Sequence, residues 1–168
     1  MTNDTIEKWL LRVLGSEGGY ANRNPHDDPG GETKWGVSKR SYPNVDIKNL
    51  TIQGASEIYK NDFLKPLLKD GVPESLVFQL FDFGIHSGIS TAVKCLQKEL
   101  GFSGKDVDGV IGKNTIAKIK ARTEASMIMG VIAARIDFMS NLNNWGANSK
   151  GWARRMAANL RYGSEDTK

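Results

Sequence analysis

The chain holds a single cysteine among its 168 residues. One thiol cannot close an internal disulfide, so the fold is expected to rest on its core and to form in a reducing compartment. A chain of this length buries roughly 70% of its unfolded surface, enough to fold without disulfides or metals. Cys95 sits in the apolar stretch Ala92-Val93-Lys94-Cys95-Leu96 and reads as a small buried hydrophobe. Histidine is also scarce, with only His26 and His86. No Cys/His cluster can therefore hold zinc, and neither histidine is assigned a role: His26 is placed to line the cleft and His86 reads as structural. No Gly-Lys-Ser/Thr phosphate loop occurs, and no cofactor or metal is expected. No apolar run approaches the ~20 residues that span a bilayer. The start, Met1-Thr2-Asn3-Asp4, lacks the basic head of a signal peptide, and Glu7, Lys8 and Arg12 interrupt the apolar residues after it. The expectation is a soluble protein made in the cytoplasm without a signal peptide.

The net charge is +4, unevenly spread. Residues 1–112 sum to −2 and residues 113–168 to +6. A basic half points to an anionic polymer: nucleic acid, a membrane surface or bacterial cell wall. A merely solvated basic face explains it equally well.

Hydrophobic spacing predicts a mainly α (α+β) fold: a helical bundle with a small strand and loop excursion after the first helix. Asp4 can cap that helix, and Ile6, Trp9, Leu10, Val13 and Leu14 share one face. Gly15 and then Gly18-Gly19 end it. Residues 20–37 are rich in turn formers, with one or two short strands around Tyr20-Ala21-Asn22 and Lys34-Trp35-Gly36-Val37. Further helices are expected after Thr51, Pro73 and Ser90, around Ile116 and Ile119, from Ser126, and over Ser149–Leu160. The polar tail Gly163–Lys168 is expected to fray.

Glu17 lies just past an amphipathic helix and precedes two glycines and a tyrosine. The negative end of a helix dipole disfavours an ionised carboxylate, as does partial burial beside an aromatic ring. A glutamate held protonated near neutral pH suits a general acid for glycosidic cleavage. Asp27 and Asp28 lie in the turn-rich loop beyond it. Glycoside hydrolysis usually needs a second carboxylate ~5–9.5 Å from the acid, and a loop folding back over the helix end can supply one. Thr33 offers a hydroxyl to hold a water. Acids in such loops are more often plain turn formers.

Two segments carry a resemblance. Glu17-Gly18-Gly19-Tyr20, with Asp28-Pro29-Gly30-Gly31-Glu32-Thr33-Lys34-Trp35-Gly36-Val37, resembles the signature of glycoside hydrolase family 108. That family comprises phage and prophage N-acetylmuramidases with a lysozyme-like fold. The resemblance implies that Glu17 is the catalytic glutamate. Leu96-Gln97, Asp106-Val107-Asp108-Gly109-Val110-Ile111-Gly112 with Thr115, and Gly151-Trp152-Ala153-Arg154-Arg155 resemble the predicted peptidoglycan-binding region that accompanies this segment. The implied organisation is a lysozyme-like catalytic lobe over residues 1–86 and a helical wall-binding lobe over 87–168. Asp28 and Thr33 are also similar to the aspartate base and water-orienting threonine of chitosanases, an analogy at the level of fold. Two adjacent acids, Asp27 and Asp28, leave the base open.

The implied activity is a lysozyme-type muramidase. It cuts the β-1,4 bond between N-acetylmuramic acid and N-acetylglucosamine, in the setting of a phage endolysin. Glu17, Asp28 and Thr33 form the catalytic set. Tyr20 and Trp35 are candidates for sugar stacking or for the core, and Asp27 for substrate contact. The expected partner is bacterial peptidoglycan, reached in the periplasm, with no nucleic acid, no stable membrane insertion and the chain acting as a monomer. Arg154, Arg155 and nearby lysines are expected to hold the anionic wall. A lytic transglycosylase, which needs one glutamate and no water, is the alternative chemistry; a non-catalytic wall- or nucleic-acid-binding module is the alternative class. Asp106-Val107-Asp108-Gly109 does not make an EF-hand, because Val110 and Ile111 fall where a ligand and a glycine are required.

Overall fold

A computed structural model of the chain describes residues 2–14, 19–22 and 31–168. Among these residues the protein is mainly helical, with one small antiparallel sheet placed after the first helix, as its periodicity predicts. The chain forms two compact units, Met1–Asp62 and Phe63–Lys168.

The first unit opens with α1 (Asn3–Leu14), continues through β1 (Ala21–Asn22), β2 (Glu32–Lys34) and β3 (Val37–Ser38), and ends with α2 (Ile52–Tyr59). Helix α1 buries Ile6, Trp9, Leu10 and Val13, the stripe expected from their spacing. Its cap differs from expectation. The Thr2 hydroxyl accepts from the Thr5 backbone N–H at 3.3 Å, and Asp4 instead lies inside the first turn. An acid there still complements the helix dipole. Thr51 caps α2 as predicted, accepting from Gly54 N at 3.1 Å. Helix α1 packs on α2, and Val37, Ile47, Leu50, Ala55 and Tyr59 complete the buried set.

The second unit contains α3 (Glu74–Ser87), α4 (Ile89–Glu99), α5 (Lys113–Lys120), α6 (Glu124–Ser140) and α7 (Trp145–Asp166). Helix α3 is its axis, buried on every side from Ser75 to Gly84 and packed on α4, α6 and α7. Phe78, Phe81 and Phe83 are fully buried; each such ring is worth about 1.5–3 kcal/mol in transfer free energy. Helix α6 starts two residues before the expected Ser126, because Thr123 is the cap and accepts from the Ser126 N–H. Helix α7 extends beyond both predicted ends, and the tail expected to fray is helical through Asp166. Gly163 is the reason at the C-terminal end. It is buried, and a Cβ there would lie 2.6 Å from Ile128 Cγ2, so the bare backbone lets α7 close onto α6. At the other end Trp145 and Trp152 pair at 5.8 Å between ring centroids.

Two polar features sit inside this unit. Asp82 of α3 is 1% exposed. It accepts from Arg135 of α6, from Arg155 Nε at 3.0 Å and Nη2 at 2.6 Å, and from Asn159 Nδ2 at 2.7 Å. Burial opposes ionisation, but the Arg155 hydrogen bonds and the charges of Arg135 and Arg155 outweigh it and hold the carboxyl below its usual range. The second feature is Gln97, 1% exposed on α4. Its amide donates to Asp108 Oδ1 at 2.7 Å and to the Val110 carbonyl at 3.0 Å, and accepts from Gly109 N at 2.8 Å. This clasp folds the 101–112 loop onto α4, which is how the Asp-Gly turn read in the sequence is used. Cys95 is half-buried rather than fully enclosed, and burial pushes its thiol pKa up. It borders a cavity of about 560 Å³ between α4 and α6.

Candidate active site

The sheet of the first unit carries three of the residues singled out in the sequence. Strand β2 is central, paired antiparallel with β1 and β3. Thr33 is its middle residue, opposite Ala21 on one side and Ser38 on the other. Ladder pairing on both sides fixes the backbone from which its hydroxyl projects. Successive side chains alternate across a strand, so Thr33 points to the face opposite Glu32 and Lys34. Tyr20 precedes β1, is 39% exposed, and donates its phenol to Glu32 Oε1 at 2.7 Å. Lys34 Nζ donates to the Lys48 carbonyl at 2.9 Å, tying β2 to the segment before α2.

Trp35 lies not within a strand, as its sequence neighbourhood suggested, but in the turn between β2 and β3. Lys34 pairs with Val37, so Trp35 and Gly36 form a two-residue hairpin loop. Both have positive φ, 52° and 72°, the type I′ pattern whose twist matches the flanking strands. Glycine adopts this freely, whereas a bulky tryptophan is strained there by roughly 1–3 kcal/mol. Tyr59 of α2 offsets that strain. Its hydroxyl donates to the Trp35 carbonyl at 3.2 Å. A Cβ on Gly36 would fall on the same hydroxyl, so the close approach requires glycine. Tyr59 is 4% exposed, and burial pushes its phenol up to about 12, keeping it a donor. The Trp35 Nε1–H is buried with no hydrogen-bond partner among the described residues.

The structure thus gathers Tyr20, Thr33 and Trp35 on one small sheet. Glu17, Asp27, Asp28 and His26 lie outside the described residues. Sequence reasoning passed over two residues: Glu32, which anchors the Tyr20 phenol, and Tyr59, which holds the Trp35 turn. Glu32 stood inside the quoted signature. Tyr59 read only as a core position on the α2 stripe.

In the second unit, Arg155 is engaged by Asp82 as described, with its side chain 21% exposed. The expectation that it reaches the cell wall therefore meets a guanidinium already held in the core, while Arg154 is exposed. His86 ends α3. Partial desolvation and the Arg155 charge push its imidazole down to about 4, although much of the residue is exposed.

Residues 10–88 match the model of the family described as glycosyl hydrolase 108. Over that segment the chain is similar to glycosyl hydrolase family 108. The match spans the whole sheet and runs from α1 to the end of α3. Among solved structures, that of Brucella abortus SagA superposes with a TM-score of 0.80 at 28% sequence identity, covering 99% of this chain and 98% of that one. No curated protein matches the sequence. The family match and the likeness to SagA support a glycoside hydrolase, peptidoglycan-acting at the level of the family, and the mainly helical architecture is the lysozyme-like one.

Proposed function

We propose that this protein is a family 108 N-acetylmuramidase, cutting the β-1,4 bond between N-acetylmuramic acid and N-acetylglucosamine. The observation that carries the reading is the family match over residues 10–88, which encloses Glu17, Asp27, Asp28 and Thr33. In this reading Glu17 protonates the glycosidic oxygen. Asp28, or Asp27 in its place, activates a water or steadies the oxocarbenium-like transition state. Thr33 orients that water. Its position in the middle of the central strand supports this role, because a positioning hydroxyl needs a rigid backbone beneath it. Tyr20 and Trp35 contact the sugar chain, and Asp27 contributes to substrate binding where Asp28 is the base. Residues 87–168 hold the wall while residues 1–86 cut it. The biological setting is a phage or prophage endolysin, made in the host cytoplasm and acting on periplasmic peptidoglycan.

Glu17→Gln keeps the shape of the side chain and removes its proton. Lysis of purified sacculi is expected to fall at least ~100-fold, with thermal unfolding unchanged. Activity retained in that variant refutes the assignment of the acid. Mass spectrometry of the products tests the chemistry. Reducing muramic acid ends support hydrolysis, and 1,6-anhydro ends replace it with a transglycosylase.

A further inference from the structure

Helices α6 and α7 pack along one another and leave two adjoining grooves that share Leu160. One, of about 250 Å³, is walled only by apolar side chains, among them Ile136, Met139, Trp145 and Met156. The other, of about 260 Å³, continues past Ile128 and Met129 toward the end of α7. Their rims are open: Met129 is 58% exposed, Leu160 46% and Ile136 40%. Along α6 the exposed positions Ala125, Met129, Ala133, Ile136 and Ser140 recur at helical spacing and carry no charge. At 1.5 Å per residue they make a neutral strip about 22 Å long. On α7, Ala153, Ala157 and Leu160 border the same strip. At 100° per residue, Lys150, Arg154 and Arg161 fall together on the adjoining flank, all exposed, with Glu165 the acid among them.

An apolar trough with a basic rim asks for a partner that is apolar and anionic together. A glycan strand is a poor chemical match, since the Trp145 indole N–H is the one hydrogen-bonding side-chain group among the described residues that line the first groove. A second copy is a poor fit as well. A stable interface buries about 800 Å² per partner, more than so narrow a strip offers, and α6 has only Glu124 and Asp137 as acids to meet the basic row. An anionic phospholipid surface supplies both parts. We propose that the α6–α7 face docks peripherally on such a surface. Met129, Ile136 and Leu160 enter the acyl boundary, and Lys150, Arg154 and Arg161 lie on the phosphates. No helix among the described residues is long and apolar enough to cross a membrane, so the contact is lateral. This inference stands independently of which bond the enzyme cuts.

Cosedimentation of the full chain with vesicles tests it. Vesicles of phosphatidylethanolamine and phosphatidylglycerol are compared with neutral phosphatidylcholine, at low and high salt. Binding is expected on the anionic vesicles only, weakened by salt. Lys150→Gln/Arg154→Gln/Arg161→Gln is expected to lower the partition roughly a hundredfold. Leu160→Ser/Ile136→Ser is expected to lower it about tenfold or more. Both rest on exposed positions, and circular dichroism melting checks that each variant folds. Equal binding to neutral vesicles, no binding to anionic ones, or no effect of either variant overturns the proposal. A dimer in sedimentation velocity that Leu160→Ser/Ile136→Ser dissolves assigns the face to a second copy instead. Lipid-free sacculi binding lost in the same apolar variant assigns it to the wall. Either result overturns the lipid proposal.

Discussion

Replacing Asp82 by asparagine removes one negative charge from the contact of α3, α6 and α7 while keeping the side chain's outline. In the native protein that carboxylate answers two guanidinium groups and the Asn159 amide. Arg135 is only 2% exposed and its Nε already lacks a partner among the described residues. Once the charge is gone, Arg135 has no counter-ion, and one edge of the new amide presents N–H groups to N–H groups. Breaking a buried ion pair from one side costs about 3–5 kcal/mol, because the remaining charge is stranded rather than because the pair itself is so favourable. That corresponds to a drop of about 6–20 °C in Tm. Urea unfolding at pH 7, monitored by tryptophan fluorescence and far-ultraviolet circular dichroism, measures it. The pH dependence gives a second handle with a definite sign. The folded state holds the Asp82 carboxyl below its ordinary range. Its contribution is therefore complete above about pH 4 and is lost as pH falls through the folded value. The gap between wild type and Asp82→Asn is expected to be widest at neutral pH and to close in acid. A variant within about 1 kcal/mol of wild type at pH 7, or a gap that widens on acidification, refutes the reasoning.

Gly36→Ala is expected to destabilise the protein by about 1–3 kcal/mol, since alanine must take a positive φ and its Cβ meets the Tyr59 hydroxyl. Urea titration measures the loss, and in Tyr59→Phe the same substitution is expected to cost less, which a double-mutant cycle reads. The His86 imidazole is expected to stay neutral until about pH 4. Because its folded pKa is lowered, its contribution is full above about 6.5 and falls as pH drops from there toward the folded value. A side-chain NMR titration with a midpoint above about 6 refutes the combined influence of desolvation and Arg155.

The helices were legible wherever one face is apolar. Ile6, Trp9, Leu10 and Val13 were readable from spacing alone, and Thr51 from its residue type and place. Their ends were less so. Thr123 extends α6 by a turn's beginning, and Gly163 carries α7 on through a tail whose composition reads as loose. In both cases the deciding contact is local in space and invisible in periodicity. Helix α3 reads as a plain hydrophobic run, and nothing in that run marks Asp82 as the centre of a charge cluster. Its partners come from α6 and α7, 53 to 77 positions away. The candidate catalytic sheet shows the same division. The sequence placed Trp35-Gly36 in a short strand and hid both the turn and its left-handed tryptophan, because the tyrosine that compensates lies 24 residues downstream.

The Gln97 clasp has a consequence for where this protein can keep its shape. Loops of comparable length are often pinned by a bound calcium ion or by a cystine bridge. Here one amide side chain bonds Asp108, Gly109 and Val110 from inside, and the loop is held by these hydrogen bonds together with the buried Ile111. Neither a chelator nor a thiol reagent has purchase on such a fastening. The loop's conformation is thereby independent of divalent cations and of redox poise, and is the same on either side of a boundary between reducing and oxidising surroundings.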